Sequence, residues 1–361
     1  MKLLKNQLDQ IFKKMRDIYF PPIDTLVRLL HQEIYQFRKV DLSFHQRFKA
    51  YSNGFTSRLY RICELEHEDD INLYLSNFSR RAYTRSINQN SDFLNNKQKF
   101  YDFMSEHGLH QYLPELLGII KDGEFKCEKS IDDYLQNKKK IVLKPCKGSC
   151  GSGVYICELE GKHVILNGEK KKLKEFDSLV KSLSRKYIVT EYCEQADFLN
   201  KIYPKSANTV RIWTVTTKSG KTFVPTAILR MGTKKSGMLD NVNQGGLTAL
   251  INLETGELSK GASLSPSGEV KWYEKHPGSS TQIEGFVIPN WKTIKNKLLS
   301  LVSDLSEFKY VGWDLVIKDN KGSFVIIEGN SHPGLQSIQV HKPLLEDPRV
   351  RNFYRENGIP V

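Results

Sequence analysis

Asp314 and Glu328 are two carboxylates that the residue pattern brings within reach of each other. They lie in two apolar runs, residues 310–318 and 323–328, that alternate as β-strands do. Between the runs, residues 320–322 can form a three-residue hairpin loop that ends in a glycine with the left-handed conformation. The two runs therefore predict an antiparallel hairpin with one carboxylate on each strand.

The register of this hairpin follows from its apolar side. A pairing of Asp319 with Ser323 places Asp314 directly opposite Glu328, on the same face. The facing pairs on the other side are wholly apolar: Leu315 with Ile327, and Ile317 with Val325. Because burial of that side selects this register, folding itself would bring the two carboxylates together.

A third oxygen donor follows close behind. Asn330 is two residues after Glu328 and shares its face if the strand continues. Carboxylate and amide oxygens are hard ligands, which suit Mg²⁺ bound by a few protein oxygens together with nucleotide phosphates. Two adjacent carboxylates repel each other, and a cation would remove that repulsion. The sequence therefore predicts a metal site made by Asp314, Glu328 and Asn330; a solvated hairpin with incidental acids is the alternative.

A glycine-rich stretch, residues 147–153, joins two short apolar runs. Its open backbone N–H groups can close over phosphate oxygens, and Lys144 can reach the same oxygens as a point charge. No Gly-Lys-Ser/Thr ends the stretch and a strand follows it, so it is neither a P-loop nor a dinucleotide-binding fingerprint. A plain turn is the alternative. The candidate phosphate-binding residues are Lys144, Lys147, Gly148, Ser149, Gly151 and Gly153.

Two arginines and one strand end complete the set of candidates. Arg211 and Arg230 lie in predicted strands, residues 209–217 and 222–231, and can each hold a phosphate or carboxylate through two N–H groups. A structural ion pair is the alternative for both. Residues 191–193, Glu-Tyr-Cys, end another apolar strand and can offer backbone groups to an adenine ring.

The elements that must position these residues change character along the chain. Residues 1–90 predict helices, and a polar stretch at 88–91 predicts a linker. One helix can begin at Pro21, and its apolar residues follow at helical spacing: Ile23, Val27, Leu30, Ile34 and Phe37. From about residue 115, strands and turns alternate, with one helical segment at 291–305. This mixture predicts an α+β or α/β architecture.

The composition is that of an ordinary globular protein: 361 residues, 39% hydrophobic, 26% charged, and a net charge of +13. A nucleotide or an anionic sugar would account for the positive charge as well as DNA would, and the densest basic run, residues 170–174, is typical of a solvated helix face. No apolar run approaches the roughly 20 residues of a membrane helix, and no signal peptide is evident. We expect a cytoplasmic protein with reduced cysteines, no nucleic-acid partner and no membrane contact.

Taken in chain order, these residues resemble the ATP-grasp superfamily, and more narrowly its sugar-transfer-associated members. The resemblance covers about residues 90–345. It is carried first by an opening lysine segment (94–108), a phosphate-covering loop (144–153), an adenine hinge (191–193) and an Asn-Thr-x-Arg strand (208–211). Three short motifs (230–232, 240–241 and 245–246) and the metal residues (Asp314 and 328–330) follow.

The resemblance implies an α+β, two-lobed ATP-grasp fold with a helical N-terminal region. The expected domains are a helical region at 1–90, a small lobe with the phosphate loop at 91–190, and a large lobe with the metal site at 191–361. Lys97 and Lys144 would hold phosphates with the loop residues, and Glu191, Tyr192 and Cys193 would border the adenine. Asp314, Glu328 and Asn330 would hold one or two Mg²⁺ ions, with Mn²⁺ as an alternative.

The resemblance also implies an ATP- and Mg²⁺-dependent carboxylate–amine ligase that forms an acyl phosphate and releases ADP and phosphate. The substrates would be a small-molecule carboxylate and an amine, such as a sugar acid or an amino acid, joined as an amide in cell-surface polysaccharide or sugar-acid modification. A phosphotransferase that uses the same cleft and a non-catalytic nucleotide-binding subunit are the alternatives. The resemblance leaves the oligomeric state open.

The sequence departs from the family pattern in two places. Many members begin with a Rossmann-like domain, whereas residues 1–90 predict helices, so the acceptor side cannot be carried over. Many ligases also place an arginine two residues before the first metal aspartate, where this sequence has Gly312. Arg211 and Arg230 are therefore the catalytic candidates that would meet the acyl-phosphate charge.

Overall fold

The computed structural model describes residues 21–67, 70–88, 90–127, 129–148, 151–305 and 307–361, and it contains two seven-stranded antiparallel sheets. Residues 1–20 of the predicted helical region lie outside the described residues. The strands of the first sheet are β1 (Leu116–Lys121), β2 (Glu124–Lys126), β3 (Lys140–Pro145), β4 (Tyr155–Glu160), β5 (His163–Leu166), β6 (Glu169–Lys172) and β7 (Tyr187–Glu191). Those of the second are β8 (Val210–Thr216), β9 (Thr222–Met231), β10 (Leu247–Leu250), β11 (Gly261–Leu264), β12 (Val270–Tyr273), β13 (Tyr310–Ile317) and β14 (Phe324–Asn330).

Helices lie before, between and after the strands. The described α-helices are Pro21–Gln36, Phe44–Ser52, Ser57–Ile62, Asn77–Tyr83, Ser91–Asn95, Lys97–Glu106, Ile131–Lys138, Leu173–Ser182, Asp197–Ile202, Trp291–Ser303, Gln336–Gln339 and Pro348–Glu356. None of them combines the length and the apolar composition of a membrane span. No disulfide joins any two cysteines of the described residues.

The first sheet has the strand order β2-β1-β7-β3-β4-β5-β6. Helices Ile131–Lys138 and Leu173–Ser182 cover one of its faces and share a core with alternate residues of its strands, such as Leu143 and Val189. The residues between these, among them Lys144, belong to the opposite face. That opposite face borders the second sheet.

The second sheet has the order β12-β11-β10-β9-β8-β13-β14 and is covered on both faces. Helix Trp291–Ser303 packs into the largest core, together with Trp313 of β13. Helix Pro348–Glu356 packs on the other face through Phe353 and Tyr354. Strand β13 is buried along its whole length, which agrees with its nearly continuous apolar sequence.

The N-terminal helices form their own core against the second sheet, where Leu59 and Tyr60 meet Leu264 of β11. The first described helix begins at Pro21, as the sequence predicts. Its predicted apolar stripe is not a single buried face, because Val27 is buried while the other four residues are 40–55% exposed: Ile23, Leu30, Ile34 and Phe37.

The β13–β14 hairpin keeps the predicted pair of Asp314 with Glu328, but the predicted register between this pair and the loop is wrong. A bulge follows this pair, and Leu315 lies opposite Ile326 instead of Ile327. Ile317 likewise pairs with Phe324. The turn spans the four residues 319–322, because Lys318 donates its N–H to Ser323 and the side chain of Asp319 accepts from the backbone of the turn.

The physical reason is that an apolar side chain fits on either side of this strand. Phe324 and Ile326 enter the largest core, and Gly329 returns to that side, where its backbone lies against Trp313. The bulge therefore leaves two consecutive residues, Ile327 and Glu328, half-buried on the opposite face.

Candidate active site

Arg211, Asp314 and Glu328 form a row across three neighbouring strands. Asp314 of β13 lies directly opposite Arg211 of β8 on one side and Glu328 of β14 on the other. Their neighbours Ile212 and Trp313 enter the largest core. Alternation along the strands therefore turns the three charged side chains to the opposite face.

Asp314 is buried and is held by two arginines. Arg211 donates from Nε to Oδ1 and from Nη2 to Oδ2, both at 2.6 Å, and Arg230 donates from Nη2 to Oδ2 at 2.9 Å. Burial alone would raise the pKa of the Asp314 carboxyl, but the two guanidinium groups outweigh it and hold that pKa below its ordinary value. The carboxylate is thus ionised and fixed in orientation.

Arg230 is held in turn by two residues that the sequence analysis did not assign to the site. Its Nη2 donates to Thr209 Oγ1 at 2.6 Å, and its Nε lies 3.4 Å from Asp240 Oδ2. Asp240 also accepts from the backbone N–H and the hydroxyl of Thr209. Despite burial, the nearby carboxylates raise the pKa of Arg230. Thr209 and Asp240 lie within the motifs at 208–211 and 240–241, which is the signal that could have found them.

Two lysines extend the positive charge to Glu328. Lys97 Nζ lies 3.5 Å from Glu328 Oε2 and donates to the carbonyl oxygen of Gly148 at 3.3 Å. Lys144 is half-buried and has no ion pair with any carboxylate of the described residues. Burial lowers the pKa of Lys144, and the charge of Lys97 lowers it further. Among the described residues, Lys144 thus forms no ion pair, whereas Lys97 forms one with Glu328.

The side-chain oxygens at this site can hold a divalent cation only if phosphate or water oxygens complete its coordination. Asn330 donates its side-chain N–H to the carbonyl oxygen of Gly312 at 3.3 Å, which leaves its oxygen free to accept. Asp314 Oδ2 already accepts from both arginines, whereas Oδ1 accepts only from Arg211 and retains one acceptor position. No three His, Cys, Asp or Glu side chains of the described residues are arranged to hold a metal. Mg²⁺ would fit between Glu328, Asn330 and Asp314 Oδ1 with phosphate or water oxygens as its other ligands.

The glycine-rich loop reaches from the first sheet to the second half of the molecule. Gly151 and Gly153 have φ angles of +71° and +74°, which an L side chain rarely adopts. A Cβ added to Gly151 would lie 2.5 Å from Leu239 Cδ1. The end of the Leu239 side chain can shift, so the positive φ of residue 151, and not this contact, is what favours glycine there.

The other predicted loop residues are less firmly placed against the site. Ser149 and Cys150 lie outside the described residues. Lys147 is exposed, and its Nζ is 3.8 Å from Asp92 Oδ1. Gly148 contributes its carbonyl oxygen to Lys97, as noted above.

The predicted adenine segment connects the two sheets. Glu191 ends β7, with Oε2 3.7 Å from Lys138 Nζ, and the ring of Tyr192 lies 3.9 Å from Lys140 Nζ. Cys193 is buried with Val316 and Val325 of the second sheet, and burial raises the pKa of its thiol to about 11. Three residues later, Ala196 donates its N–H to Ile317 at 2.8 Å.

A narrow cleft lies between the two sheets at this segment. Its lining includes Lys97, Lys144 and Ile188 on one side and Ile326 and Ile327 of the bulged strand on the other. Thr190 also lines it, and the buried hydroxyl of Thr190 has no hydrogen-bond partner in the described structure. Apolar walls with a few unsatisfied polar groups are typical of small-molecule sites.

The chain was compared with solved structures and with curated proteins. It is similar to D-alanine–D-alanine ligase from Bacillus anthracis (12% identity, TM-score 0.39, 74% of this chain and 69% of that one). It is also similar to N5-carboxyaminoimidazole ribonucleotide synthetase from Thermus thermophilus (11%, 0.40, 75% and 54%) and to biotin carboxylase from Campylobacter jejuni (9%, 0.39, 75% and 47%). This chain thus spans about half the length of the last two, and similarity at this level does not transfer function. No curated protein matches the chain.

The family comparison is more extensive. The model of the sugar-transfer associated ATP-grasp family matches residues 78–353, which is most of the chain and includes every charged residue of the row and the cleft. The two antiparallel sheets agree with the two-lobed ATP-grasp fold, and the chain belongs to the sugar-transfer associated ATP-grasp family.

Proposed function

We propose that the protein is an ATP- and Mg²⁺-dependent ligase that joins a small-molecule carboxylate to an amine. The observation that carries this proposal is a linked set of four cationic groups and two carboxylates, of which two lysines line the cleft and the others lie on the neighbouring strands. The cations are Lys97, Lys144, Arg211 and Arg230, and the carboxylates are Asp314 and Glu328. Phosphoryl transfer needs mainly positioning and charge neutralisation, which such a set supplies.

The proposed reaction has two steps. A carboxylate oxygen of the first substrate attacks the γ-phosphorus of ATP, the bond from this phosphorus to the β-γ bridging oxygen breaks, and ADP leaves. The amine nitrogen then attacks the carbonyl carbon of the acyl phosphate, and phosphate leaves with the former carboxylate oxygen. The amine releases its proton to phosphate or solvent, so the products are an amide, ADP and phosphate.

The chain's own residues would hold the reacting groups in place. Lys144 has no counter-ion among the described residues, so a phosphate oxygen can take that position without displacing a protein carboxylate. Lys97 and the glycine-rich loop would cover the same phosphates. Mg²⁺ bound by Glu328, Asn330 and Asp314 Oδ1 would neutralise charge on the β- and γ-phosphates.

The two arginines would act on the acyl-phosphate side. Both guanidinium groups are anchored to Asp314, and each has N–H groups beyond those that the carboxylate accepts. They can therefore neutralise the charge of the transferred phosphoryl group. In this role they would replace the arginine that many ligases carry at the position of Gly312. Glu191, Tyr192 and Cys193 would border the adenine, because this segment joins the two lobes beside the cleft.

The family description supports a substrate from carbohydrate metabolism. We propose a sugar acid or an amino acid as the carboxylate, with the amide formed during polysaccharide or sugar-acid modification. We also propose three domains, namely a helical region at 1–90, a small lobe at 91–190 and a large lobe at 191–361.

The experiment is trapping of the acyl phosphate. The purified protein is incubated with MgATP, candidate sugar acids and amino acids, and hydroxylamine, which converts acyl phosphates into stable hydroxamates. We expect a hydroxamate that depends on one acid and forms together with ADP. Glu328→Ala should abolish the product, whereas Glu160→Ala, which removes an exposed carboxylate paired with Lys170 on the first sheet, should not.

Three outcomes would contradict parts of this proposal. ADP with a stable phosphorylated product and no hydroxamate would indicate a phosphotransferase. Full turnover by folded Glu328→Ala would show that the metal assignment is wrong. Nucleotide binding without turnover on any acid would favour a non-catalytic nucleotide-binding subunit.

A further inference from the structure

A second cavity lies outside the nucleotide cleft, between the N-terminal helices and the segment that follows Asn330. It has a volume of about 50 Å³ and is lined mainly by polar side chains. Three of these belong to arginines, Arg58, Arg80 and Arg81. None of the residues that line it is an aspartate or a glutamate.

The three arginines have no acidic partner among the described residues. Each donates one hydrogen bond to an uncharged oxygen: Arg58 to the carbonyl of Ser265 at 3.1 Å, Arg80 to the carbonyl of Pro333 at 3.1 Å, and Arg81 to the side chain of Gln32 at 2.9 Å. A guanidinium has five N–H groups, so most of the donors in this cavity remain available.

A neutral donor stands beside them. The side-chain oxygen of Asn77 accepts from the backbone N–H of Thr56 at 2.9 Å and from its hydroxyl at 3.1 Å. This leaves the NH₂ group of Asn77 as a donor in the cavity. The cavity thus combines three cations and an amide, all of which donate.

No acidic side chain that lines the cavity balances its positive charge. Burial lowers the pKa of Arg58, and burial together with neighbouring arginines lowers the pKa of Arg81 and brings that of Arg80 to about 10. Like charges held together in a partly desolvated cavity repel each other. An anion with several acceptor oxygens would remove this repulsion, and the planar guanidinium fork matches carboxylate and phosphate oxygens.

We propose that the cavity lined by Arg58, Arg80, Arg81 and Asn77 binds the carboxylate or phosphate group of a small-molecule ligand. The site is separate from the nucleotide cleft and does not depend on the ligase reaction. It does touch the segment beyond the proposed metal residues, because Arg80 holds the carbonyl oxygen of Pro333.

Isothermal titration calorimetry on the full-length chain tests the proposal. Inorganic phosphate and succinate are titrated separately into the protein, and chloride at the same ionic strength is the reference anion. We expect saturable binding of at least one of the two anions. Arg81→Gln and Arg58→Gln should each weaken it by ~10-fold or more, because a charge-assisted hydrogen bond is lost.

Two controls separate this site from other causes. Arg38→Gln removes the same charge from an exposed residue of the N-terminal region that does not line the cavity, so it should bind as the wild type does. Lys144→Met alters the nucleotide cleft and should also leave this binding in place. If either arginine variant fails to fold, the other one and Asn77→Ala still test the site.

The proposal is wrong if neither anion binds beyond chloride. It is equally wrong if Lys144→Met abolishes the binding while Arg81→Gln and Arg58→Gln retain it, because the anion then occupies the nucleotide cleft. A preference for phosphate or for succinate supports the proposal in either case and identifies the group that the natural ligand carries.

Discussion

Arg211 and Asp314 lie directly opposite each other on β8 and β13, and the guanidinium holds both carboxylate oxygens at 2.6 Å. The two side chains are only 12% and 4% exposed. Such a bidentate pair fixes the plane of the carboxylate as well as its charge. Asp314 can therefore offer its remaining acceptor position in one direction only.

Removal of Arg211 should destabilise the protein. In Arg211→Ala, Asp314 stays buried and keeps only the hydrogen bond from Arg230. Since an unpaired buried charge is costly, we expect a loss of about 2–4 kcal/mol in the free energy of unfolding, measured by urea denaturation. Arg349→Ala is the control: it breaks a similar but exposed pair with Asp347, and it should lose less than about 1 kcal/mol. Equal losses in the two variants would contradict this account.

Lys144 should contribute to nucleotide affinity and little to stability. Lys144→Met keeps the length of the side chain and removes a charge that has no ion-pair partner among the described residues. Loss of one charge-assisted phosphate contact should weaken ATP binding by ~10–100-fold. Calorimetric titration with ATP measures this. Lys170 lies in β6, the edge strand of the same sheet, and is paired with Glu160, so Lys170→Met should bind ATP normally. A wild-type affinity for Lys144→Met would rule out the phosphate role.

Gly312 should not tolerate a side chain. A Cβ at this position would lie 2.8 Å from Cβ of Pro333, whose ring cannot move aside easily. We therefore expect Gly312→Ala to lower the free energy of unfolding by about 1–3 kcal/mol. Gly334→Ala is the matched control, because nothing lies within 4 Å of its added Cβ. Thermal and urea unfolding of both variants would show whether close packing excludes the family arginine from this strand.

His341 should make the fold sensitive to mild acid. Burial lowers the pKa of its imidazole to about 4 in the folded protein, below the ordinary value of 6.5. The unfolded chain therefore takes up a proton first as the pH falls, so stability is full above about pH 6.5 and declines toward pH 4. We expect His341 to account for ~2 kcal/mol of the stability lost between about pH 7 and pH 4.5.

The comparison of His341→Gln with the wild type isolates this contribution. The variant carries no titrating group at this position, so its unfolding free energy should fall less over the same interval. His45→Gln removes an exposed histidine and should follow the wild type. Parallel curves for His341→Gln and the wild type would show that His341 is not the group responsible.

The predicted α+β, two-lobed fold with a helical N-terminal region is confirmed, and the hairpin shows how far a residue pattern can reach. The sequence predicts the pair of Asp314 with Glu328, but the apolar pairs used to predict it do not form, and the bulge is what places Glu328 opposite Asp314. The bulge could not be predicted, since Ile326 and Ile327 are equally apolar and either one could face the core. A structural ion pair is the alternative for Arg211 and Arg230, but the sequence does not identify Asp314 as the partner, because no spacing rule relates strands so distant in sequence.

The N-terminal region shows a different limit. Helical spacing identifies Ile23, Leu30 and Ile34 as one stripe, but it cannot say what covers that stripe, and all three are exposed. The cavity with Arg58, Arg80 and Arg81 depends on how separate helices pack against residues 334–339. Contacts between such distant segments are decided by tertiary packing and leave no periodic signal in the sequence.

The bulge at Ile327 also sets which changes of chain length the hairpin can accept. Because Ile327 is the extra residue, a chain without it would keep every pair on the loop side and place the following glutamate opposite Asp314 in a regular ladder. Loss of Ile326 together with Ile327 would instead put the glutamate directly after Val325, opposite Leu315 and on the side of the core. Alignments of related chains should therefore allow a one-residue gap at position 327, since an ungapped comparison there would place the carboxylate one residue out of step.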